Sequence, residues 1–419
     1  MSAAAGGAAR PRLIVLSQWF DPEPTVRGVA FARRLDALGF DVEVVTGFPN
    51  YPGGKLYEGY QIRPLRREFV DGIRVTRLAL YPSHDRSRVG RVLNYVSFFL
   101  SATFYLLFLA RRADVIYAYH PPLTSALAGV AARLLRRMPL VLDVQDMWPD
   151  TLRATGMLNN ERALGFIGAV CRWTWRRADR ISVLSDGFRR LLVERGVLAE
   201  RIAVIHNWAD EADGSEGAAA QPAAIAMRGR FRILFAGNMG PAQGLDTVLD
   251  AAALLIDAHP QIEFCFLGGG LEAKRLERAA TARGLSNVRF FPRVSKVEVG
   301  PWLAAADVLL VHLKDDPLFA ITVPSKTQAY LAAGKPILMA VAGDAAELVQ
   351  RAGAGLVVPP ENASAMAAAA SELATMELGR LAALGASGRR YYDDQLSFAR
   401  GAESMAGLLR QAMAGADGT

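Results

Sequence analysis

The chain of 419 residues is long enough for two or three domains, each with its own core. It is 52% hydrophobic and 21% charged, with 38 Gly that follow no period, which excludes collagen-like and wholly disordered chains and fits a folded α/β protein. The net charge of +7 is unevenly spread: residues 1–210 carry 29 basic and 19 acidic side chains and the remainder 19 and 22, so attraction to an anionic partner belongs to the N-terminal half.

The opening MSAAAGGAAR lacks the apolar stretch of a secretory signal, so a cytoplasmic chain is expected. Cys171 and Cys265 lie far apart without CxxC spacing, which points to reduced core thiols. RLIVLS (12–17) reads as a first buried strand, followed by a helical stretch around Gly28–Leu38. DVEVVTG (41–47), IRVTRLAL (73–80), DVIYAY (114–119), PLVLDVQD (139–146) and RISVLS (180–185) continue the series, with helices between most of them. Strands alternating with helices imply a doubly wound parallel sheet. The small and polar GSEGAAAQPAA (214–224) reads as a linker. A second series then begins: RILFAGNMG (232–240), IEFCFLGGG (262–270), VRFFPRV (288–294), DVLLVHL (307–313) and KPILMAV (335–341). The expectation is two Rossmann-like domains facing across a cleft, over 1–210 and 229–392, joined by a linker at 211–228. A C-terminal helix and tail at 393–419 could pack on either domain.

One segment breaks this rhythm. VLNYVSFFLSATFYLLFL (92–109) has 18 residues without a charge, between Arg88 and Arg91 on one side and Arg111 and Arg112 on the other. Its length is borderline for a membrane span, and a span would divide the strands of one sheet between two sides of the membrane. A buried helix and a helix lying in the bilayer interface both fit the sequence.

In an open α/β sheet, ligands gather at loops beyond the carboxyl ends of the strands. FAGNMGPAQGLDT (235–247) places Gly237, Gly240 and Gly244 there, where backbone N–H groups and a helix start can approach a diphosphate; a plain tight turn is the other reading. The segment is not GxGxxG. LGGG (267–270), with Gly269, is a second glycine-rich strand end, and Arg293 follows the next strand. TVPSKTQAYLAAGKP (322–336) is the strongest signal, because Pro324, Ser325 and Lys326 at a helix mouth would present backbone donors, a hydroxyl and an ammonium to a phosphate. In the first half, Arg27 and Gly28 close the WFDPEPTVRG loop at a helix start suited to an anion. His120 and Asp146, the latter followed by Trp148, stand at neighbouring strand ends; a structural histidine and a helix-capping aspartate are the alternatives. There is no Walker A, GxSxG or HExxH sequence, the five histidines form no metal-ligand pattern, and the adjacent Asp315 and Asp316 read as solvated. The basic residues are dispersed and match no nucleic-acid reading module.

The ordered set SQWFDPEP, FPNYPGG, HPP, DVQDMWPD, VIHNWADE, AGNMGPAQGLD, FLGGG and TVPSKTQAYLAAGKP resembles glycosyltransferase family 4, which has the GT-B fold, over roughly residues 12–400. The nearest branch is the O-antigen and colanic-acid type that includes L-fucosamine transferase-like proteins. The resemblance implies a retaining, metal-independent transferase that uses no cofactor. Its donor would be a nucleotide diphosphate sugar, with UDP and an N-acetylated amino sugar expected, and its acceptor a polyprenyl-diphosphate-linked or other cell-surface glycan. The apolar run 92–109 and the basic N-terminal domain further lead to an expectation of peripheral residence on the inner leaflet of the cytoplasmic membrane. The implied donor-site residues are Arg27, Gly28, Gly237, Asn238, Gly240, Gln243, Gly244, Gly269, Arg293, Pro324, Ser325 and Lys326, with His120 and Asp146 positioning acceptor or sugar. Where many family members have Arg and Lys, this chain offers the neutral Asn238 and Gln243. Ile321 and Ala329 stand in place of a Glu pair. A sugar-nucleotide epimerase of the same fold and a silent glycan- or lipid-binding scaffold are the competing functions.

Overall fold

The structure, a computed structural model, describes residues 9–83, 88–154, 157–209, 227 and 231–416. The chain forms two compact units, one of Met1–Leu184, Phe188–Ile205 and Gly401–Thr419, the other of Ser185–Gly187 and His206–Arg400. Apart from Met227, the linker expected over 211–228 lies outside the described residues.

The first unit is built on eight strands: β1 (Arg12–Leu16), β2 (Asp41–Gly47), β3 (Leu65–Val70), β4 (Ile73–Leu78), β5 (Val115–His120), β6 (Leu140–Val144), β7 (Arg180–Val183) and β8 (Ile202–Val204). Their order is β3-β4-β2-β1-β5-β6-β7-β8. Leu13, Ile14, Val15 and Leu16 are all fully buried, as a central strand covered on both faces requires. The helices are α1 (Val29–Ala37), α2 (Arg88–Phe104) with a π-helical continuation over Tyr105–Leu109, α3 (Leu123–Arg136), α4 (Asp150–Ala154), α5 (Glu161–Arg177) and α6 (Asp186–Glu194).

The sheet is parallel except at β3, which pairs antiparallel with β4 at the sheet edge. The sequence series omits β3 because LRREFV carries three consecutive charges and alternates between half-buried and exposed positions. Its signal is the Asp71–Gly72 turn, both residues at positive φ, which is the preferred chemistry of a tight hairpin.

The second unit has six parallel strands: β9 (Phe231–Asn238), β10 (Ile262–Gly269), β11 (Val288–Phe291), β12 (Val308–His312), β13 (Ile337–Ala340) and β14 (Gly355–Val357). The order is β11-β10-β9-β12-β13-β14. Its helices are α7 (Asp246–Leu255), α8 (Ala273–Ala282), α9 (Lys296–Ala305), α10 (Pro317–Ala320), α11 (Ser325–Ala332), α12 (Asp344–Ala352), α13 (Ala363–Thr375), α14 (Leu378–Tyr391) and α15 (Phe398–Ala416). Phe235, Phe266 and Phe290 line up across β9, β10 and β11, the last two stacked with centroids 4.8 Å apart. From Gly401 onward α15 belongs to the first unit. There Glu403 pairs with Arg34 at 3.0 Å, and Arg410 donates to the Leu38 carbonyl at 2.6 Å while lying over the Phe40 ring.

In each sheet the winding reverses beside the first strand, between β1 and β5 in one unit and between β9 and β12 in the other. Such a reversal splays the two connections apart and leaves a crevice at the carboxyl ends of the strands, where open α/β sheets bind ligands.

Candidate functional site

In the second unit the crevice lies between the ends of β9 and β12, and the side chain that defines it is Lys326. Lys326 is the second residue of α11. Its ammonium is buried, has no hydrogen-bond partner among the described residues, and lies 3.6 Å from the centroid of the Phe235 ring. A cation over an aromatic face gains some stabilisation but far less than a counter-charge would give. Burial lowers the Lys326 pKa to about 7. The α11 helix starts at Pro324 without a side-chain cap, and Ser325 is an exposed first-turn residue.

Tyr330 holds this helix in place. It is one turn beyond Lys326, is 1% exposed, and its hydroxyl both accepts from Ala236 N at 2.9 Å and donates to Ala236 O at 3.2 Å, while burial pushes the phenol well up. The next residue on β9 is Gly237, with φ +141°, and a Cβ there would sit 3.5 Å from the Lys326 ammonium. Gly237 pairs with Gly268 on β10, whose own φ is +138° and where a Cβ would fall on the Gly237 carbonyl. Two facing glycines thus keep the strand ends bare and bring backbone close to the ammonium.

The other expected donor-site residues occupy different places around this point. Asn238 is exposed at the end of β9 and pairs with Gly269 on β10. Gly240 and Gln243 belong to one tight turn, in which the Gln243 side-chain oxygen accepts from Gly240 N at 2.9 Å. Gly244 ends that turn at φ +55°. Arg293 is exposed beyond the edge strand β11, two strands away from β9. Ile321 gives its carbonyl to Ser185 at 2.6 Å and Ala329 lies half-buried on α11, so neither position supplies a carboxylate.

Sequence reasoning passed over His312, which closes β12. Its Nε2 accepts from Glu361 N at 3.3 Å, so Nδ1 carries the proton and donates to the Gln243 carbonyl at 2.6 Å. Burial lowers its pKa. A neutral imidazole therefore ties the 241–244 turn to the loop after β14; the histidine at the end of an apolar strand was the available signal.

In the first unit the crevice lies between the ends of β1 and β5. His120 closes β5, is fully buried, and packs edge-on against Trp148 with centroids 6.3 Å apart. Neither ring nitrogen has a hydrogen-bond partner among the described residues, and burial brings its pKa down to about 4, so the ring is neutral at physiological pH. Asp146, beyond β6, accepts from the side-chain hydroxyl of Thr151 in α4, which is not a cap, since a cap accepts from a first-turn backbone N–H. Burial raises its pKa.

Arg27 and Gly28 do not meet the expectation of an open anion site. Arg27 is wholly buried and its Nε donates to Asp143 at 2.9 Å. Asp143 also accepts from Tyr117 at 2.5 Å, Ser182 at 2.7 Å and Gln145 at 2.7 Å, so its oxygens are well supplied with donors in the core. The helix start at Gly28 is filled by Asp21, whose carboxylate accepts from Val29 N at 2.7 Å and lies where a Gly28 Cβ would be. The chain supplies its own anion at that helix end and its own partner for that guanidinium.

Two further groups shape the crevice, Glu23 of the SQWFDPEP segment and Asn94 of the apolar run. Glu23 accepts from the backbone N–H groups of Phe20, Asn50 and Tyr51 at 3.1, 2.7 and 2.7 Å, which binds the loop after β1 to the loop after β2; burial raises its pKa to about 6. Asn94, the buried amide of α2, accepts from Gln18 at 2.5 Å and donates to Asn50 at 3.2 Å and to the Tyr81 carbonyl at 2.7 Å.

Comparison with known proteins bears on both units. Residues 24–208 match the profile described as a Glycosyl transferase 4-like domain, and residues 230–376 match that of Glycosyl transferases group 1. A protein of Escherichia coli K12 named as a colanic acid biosynthesis glycosyl transferase, WcaI, is 31% identical over 339 residues, covering 77% of this chain and 81% of its own length. WbjE of Pseudomonas aeruginosa, named as a glycosyltransferase, is 27% identical, covering 65% of this chain and 69% of its own. Among solved structures, sucrose-phosphate synthase from Thermosynechococcus elongatus superposes with a TM-score of 0.72 at 19% identity, covering 97% of this chain and all of its own. HepE from Anabaena, solved with UDP, gives 0.65 at 17% identity, with 95% and 99% covered. With both halves matched in order, and a relative above 30% identity over most of its length, the chain belongs to the family 4 type of GT-B glycosyltransferases.

Proposed function

We propose that this enzyme moves a sugar, an N-acetylated amino sugar, from UDP to a polyprenyl-diphosphate-linked or other cell-surface glycan acceptor, with retention of configuration. It does so as a peripheral protein on the cytoplasmic face of the membrane. The observation that carries the donor side is Lys326, a buried ammonium with no hydrogen-bond partner among the described residues, at the mouth of an uncapped helix and beside a bare strand end. A diphosphate supplies what that site lacks, an anion for the ammonium and acceptors for the first-turn N–H groups. The HepE structures solved with UDP and with UDP-glucose support the choice of nucleotide, and the name of WcaI supports a polysaccharide pathway.

The chemistry follows from where charge develops. As the bond from sugar to diphosphate breaks, negative charge grows on the leaving phosphate, and a preformed ammonium and helix N-terminus stabilise it without reorganising. The acceptor oxygen forms its bond on the same face, and its proton passes to a leaving phosphate oxygen. Lys326 and α11 supply the cationic role that Asn238 and Gln243 cannot. His120 and Asp146 position the acceptor, the imidazole as a neutral hydrogen-bonding group. Calorimetric titration with UDP tests the donor site: Lys326→Ala is expected to weaken binding at least tenfold while melting no lower than wild type, because it removes an unpaired buried ammonium, and equal affinity would remove Lys326 from the site.

A further inference from the structure

Helix α2 and its continuation, Val89–Leu109, form the longest apolar helix among the described residues, yet only 28% of its most apolar window is buried. Its outer side is unusual for a globular protein. The polar side chains turn toward the sheet: Asn94 holds Gln18 and Asn50, Ser97 accepts from Tyr81 N at 2.8 Å, Ser101 donates to the Ala79 carbonyl at 2.7 Å, and Tyr105 donates to Glu43 at 2.6 Å. Phe98, Ala102 and Leu106 are buried beside them, but a second apolar row turns outward. Val89, Val92, Val96, Leu100, Phe104 and Phe108 recur every three or four residues and are 42–71% exposed. Water disfavours such a face, and a soluble monomer rarely carries one this long. Polar anchoring to β2 and to the loops after β1, β2 and β4 keeps the helix on the sheet and rules out its standing across a bilayer.

The outward face continues onto the neighbouring helices. α2 packs on α3 and α3 on α5. Leu134 and Leu135 are exposed at the end of α3, and α5 turns out Phe166, 71% exposed, and Trp173, 43% exposed. Arginines frame this band: Arg111, Arg112 and Arg137 are exposed at one end of α2 and α3, and Arg172, Arg176 and Arg177 accompany Trp173, with Arg177 lying 5.3 Å from its ring centroid. There is no acidic residue from 88 to 112, and Glu161 at the start of α5 is paired with Arg153. Aliphatic and aromatic side chains bordered by arginine match the layering of a bilayer surface, acyl chains below and anionic headgroups above.

We propose that the outer face of α2, α3 and α5 is the seat by which this protein lies on an anionic lipid bilayer, with α2 flat in the interface and Trp173 at headgroup depth. This deepens the membrane part of the proposed function and rests on surface geometry independent of the donor site. The same helix that enters the lipid holds, through Asn94, the loops that follow β1 and β2, so seating and the first-unit crevice share one rigid element.

Flotation of the full-length protein with vesicles of phosphatidylcholine containing about a third phosphatidylglycerol provides the test, with phosphatidylcholine vesicles and high salt as comparisons. Wild type is expected to float with the anionic vesicles, at least tenfold less with neutral ones, and to be released in part by salt. Leu100→Glu/Phe104→Glu, on exposed positions, should lower binding at least tenfold while retaining the wild-type melting profile and UDP affinity. With bromine-labelled lipids, tryptophan quenching should fall when Trp173→Phe is introduced. Failure of wild type to bind, or undiminished binding by a folded Leu100→Glu/Phe104→Glu variant, overturns the seat. Quenching unchanged by Trp173→Phe removes α5 from it. A wild-type dimer that Leu100→Glu/Phe104→Glu dissociates would assign the face to a second copy and overturn the proposal. Loss of UDP binding with flotation intact would count against the donor reading and leave the seat standing.

Discussion

Lys326 links donor binding to pH in a direction that can be worked out in advance. In the ligand-free protein its pKa is lowered to about 7 by burial alone, so at pH 9 only about one molecule in a hundred carries the ammonium. A bound diphosphate provides the missing counter-charge and raises that pKa. Binding above pH 7 therefore takes up a proton, and affinity falls as pH rises, by at most tenfold per unit. Half the molecules carry the ammonium at pH 7, so between pH 7 and 9 the loss is about 50-fold, or about 2.3 kcal/mol at about 1.36 kcal/mol per tenfold change. The effect on the free protein has the opposite sense: above pH 7 the unfolded chain holds a proton that the folded state lacks, so stability gains with pH until the ordinary lysine range. Calorimetry with UDP at pH 7, 8 and 9, in buffers of different ionisation enthalpy, reads both affinity and proton uptake. Uptake should approach one proton per UDP at pH 9 and vanish in Lys326→Met. An affinity flat between pH 7 and 9, or uptake that persists in Lys326→Met, would refute the claim that a neutralised amine becomes the phosphate-binding cation.

Other residues yield narrower expectations. Arg27→Met strands Asp143 in the core and should cost about 3–5 kcal/mol in denaturant unfolding, whereas Arg27→Met/Asp143→Leu should recover part of that loss; a cost below about 1 kcal/mol for the single change would deny the pair its structural role. Asn94→Leu leaves the Gln18 and Asn50 amides without their shared partner and should cost about 1–3 kcal/mol, read the same way. Gly268→Ala drives a Cβ into the Gly237 carbonyl, so UDP binding should fall at least tenfold; a variant that binds UDP normally would show that the strand ends are not closely apposed. The His120 ring, assigned by NMR, should stay neutral from pH 8 to 5, and a midpoint near 6.5 would mean that solvent reaches it.

Much of the fold was legible because a parallel sheet covered on both faces writes continuous apolar runs. DVEVVTG, for example, matches β2 over 41–47. The edge strand β3 was not, because half its side chains face solvent and it reads as a charged loop. The sequence singles out Lys326, where residue type and helix mouth coincide, as the proposed donor cation, but the isolation of its ammonium is a property of packing. Arg27 was misleading for the same reason: its partner Asp143 is 116 residues away, and only the neighbouring strands bring them together. The apolar run at 92–109 announced itself, whereas which face it shows to water depends on four polar side chains finding partners on the sheet.

The central claim is sugar transfer from a nucleotide donor to a lipid-linked acceptor, and mass spectrometry of the acceptor reads it most directly. Polyprenyl-diphosphate-linked sugars would be incubated with the purified protein, a panel of nucleotide sugars and a chelator. A mass gain of one sugar from a UDP-linked donor, lost in Lys326→Ala, is the result expected. No gain across the panel from a protein that still binds UDP, or a gain undiminished in Lys326→Ala, would contradict the account.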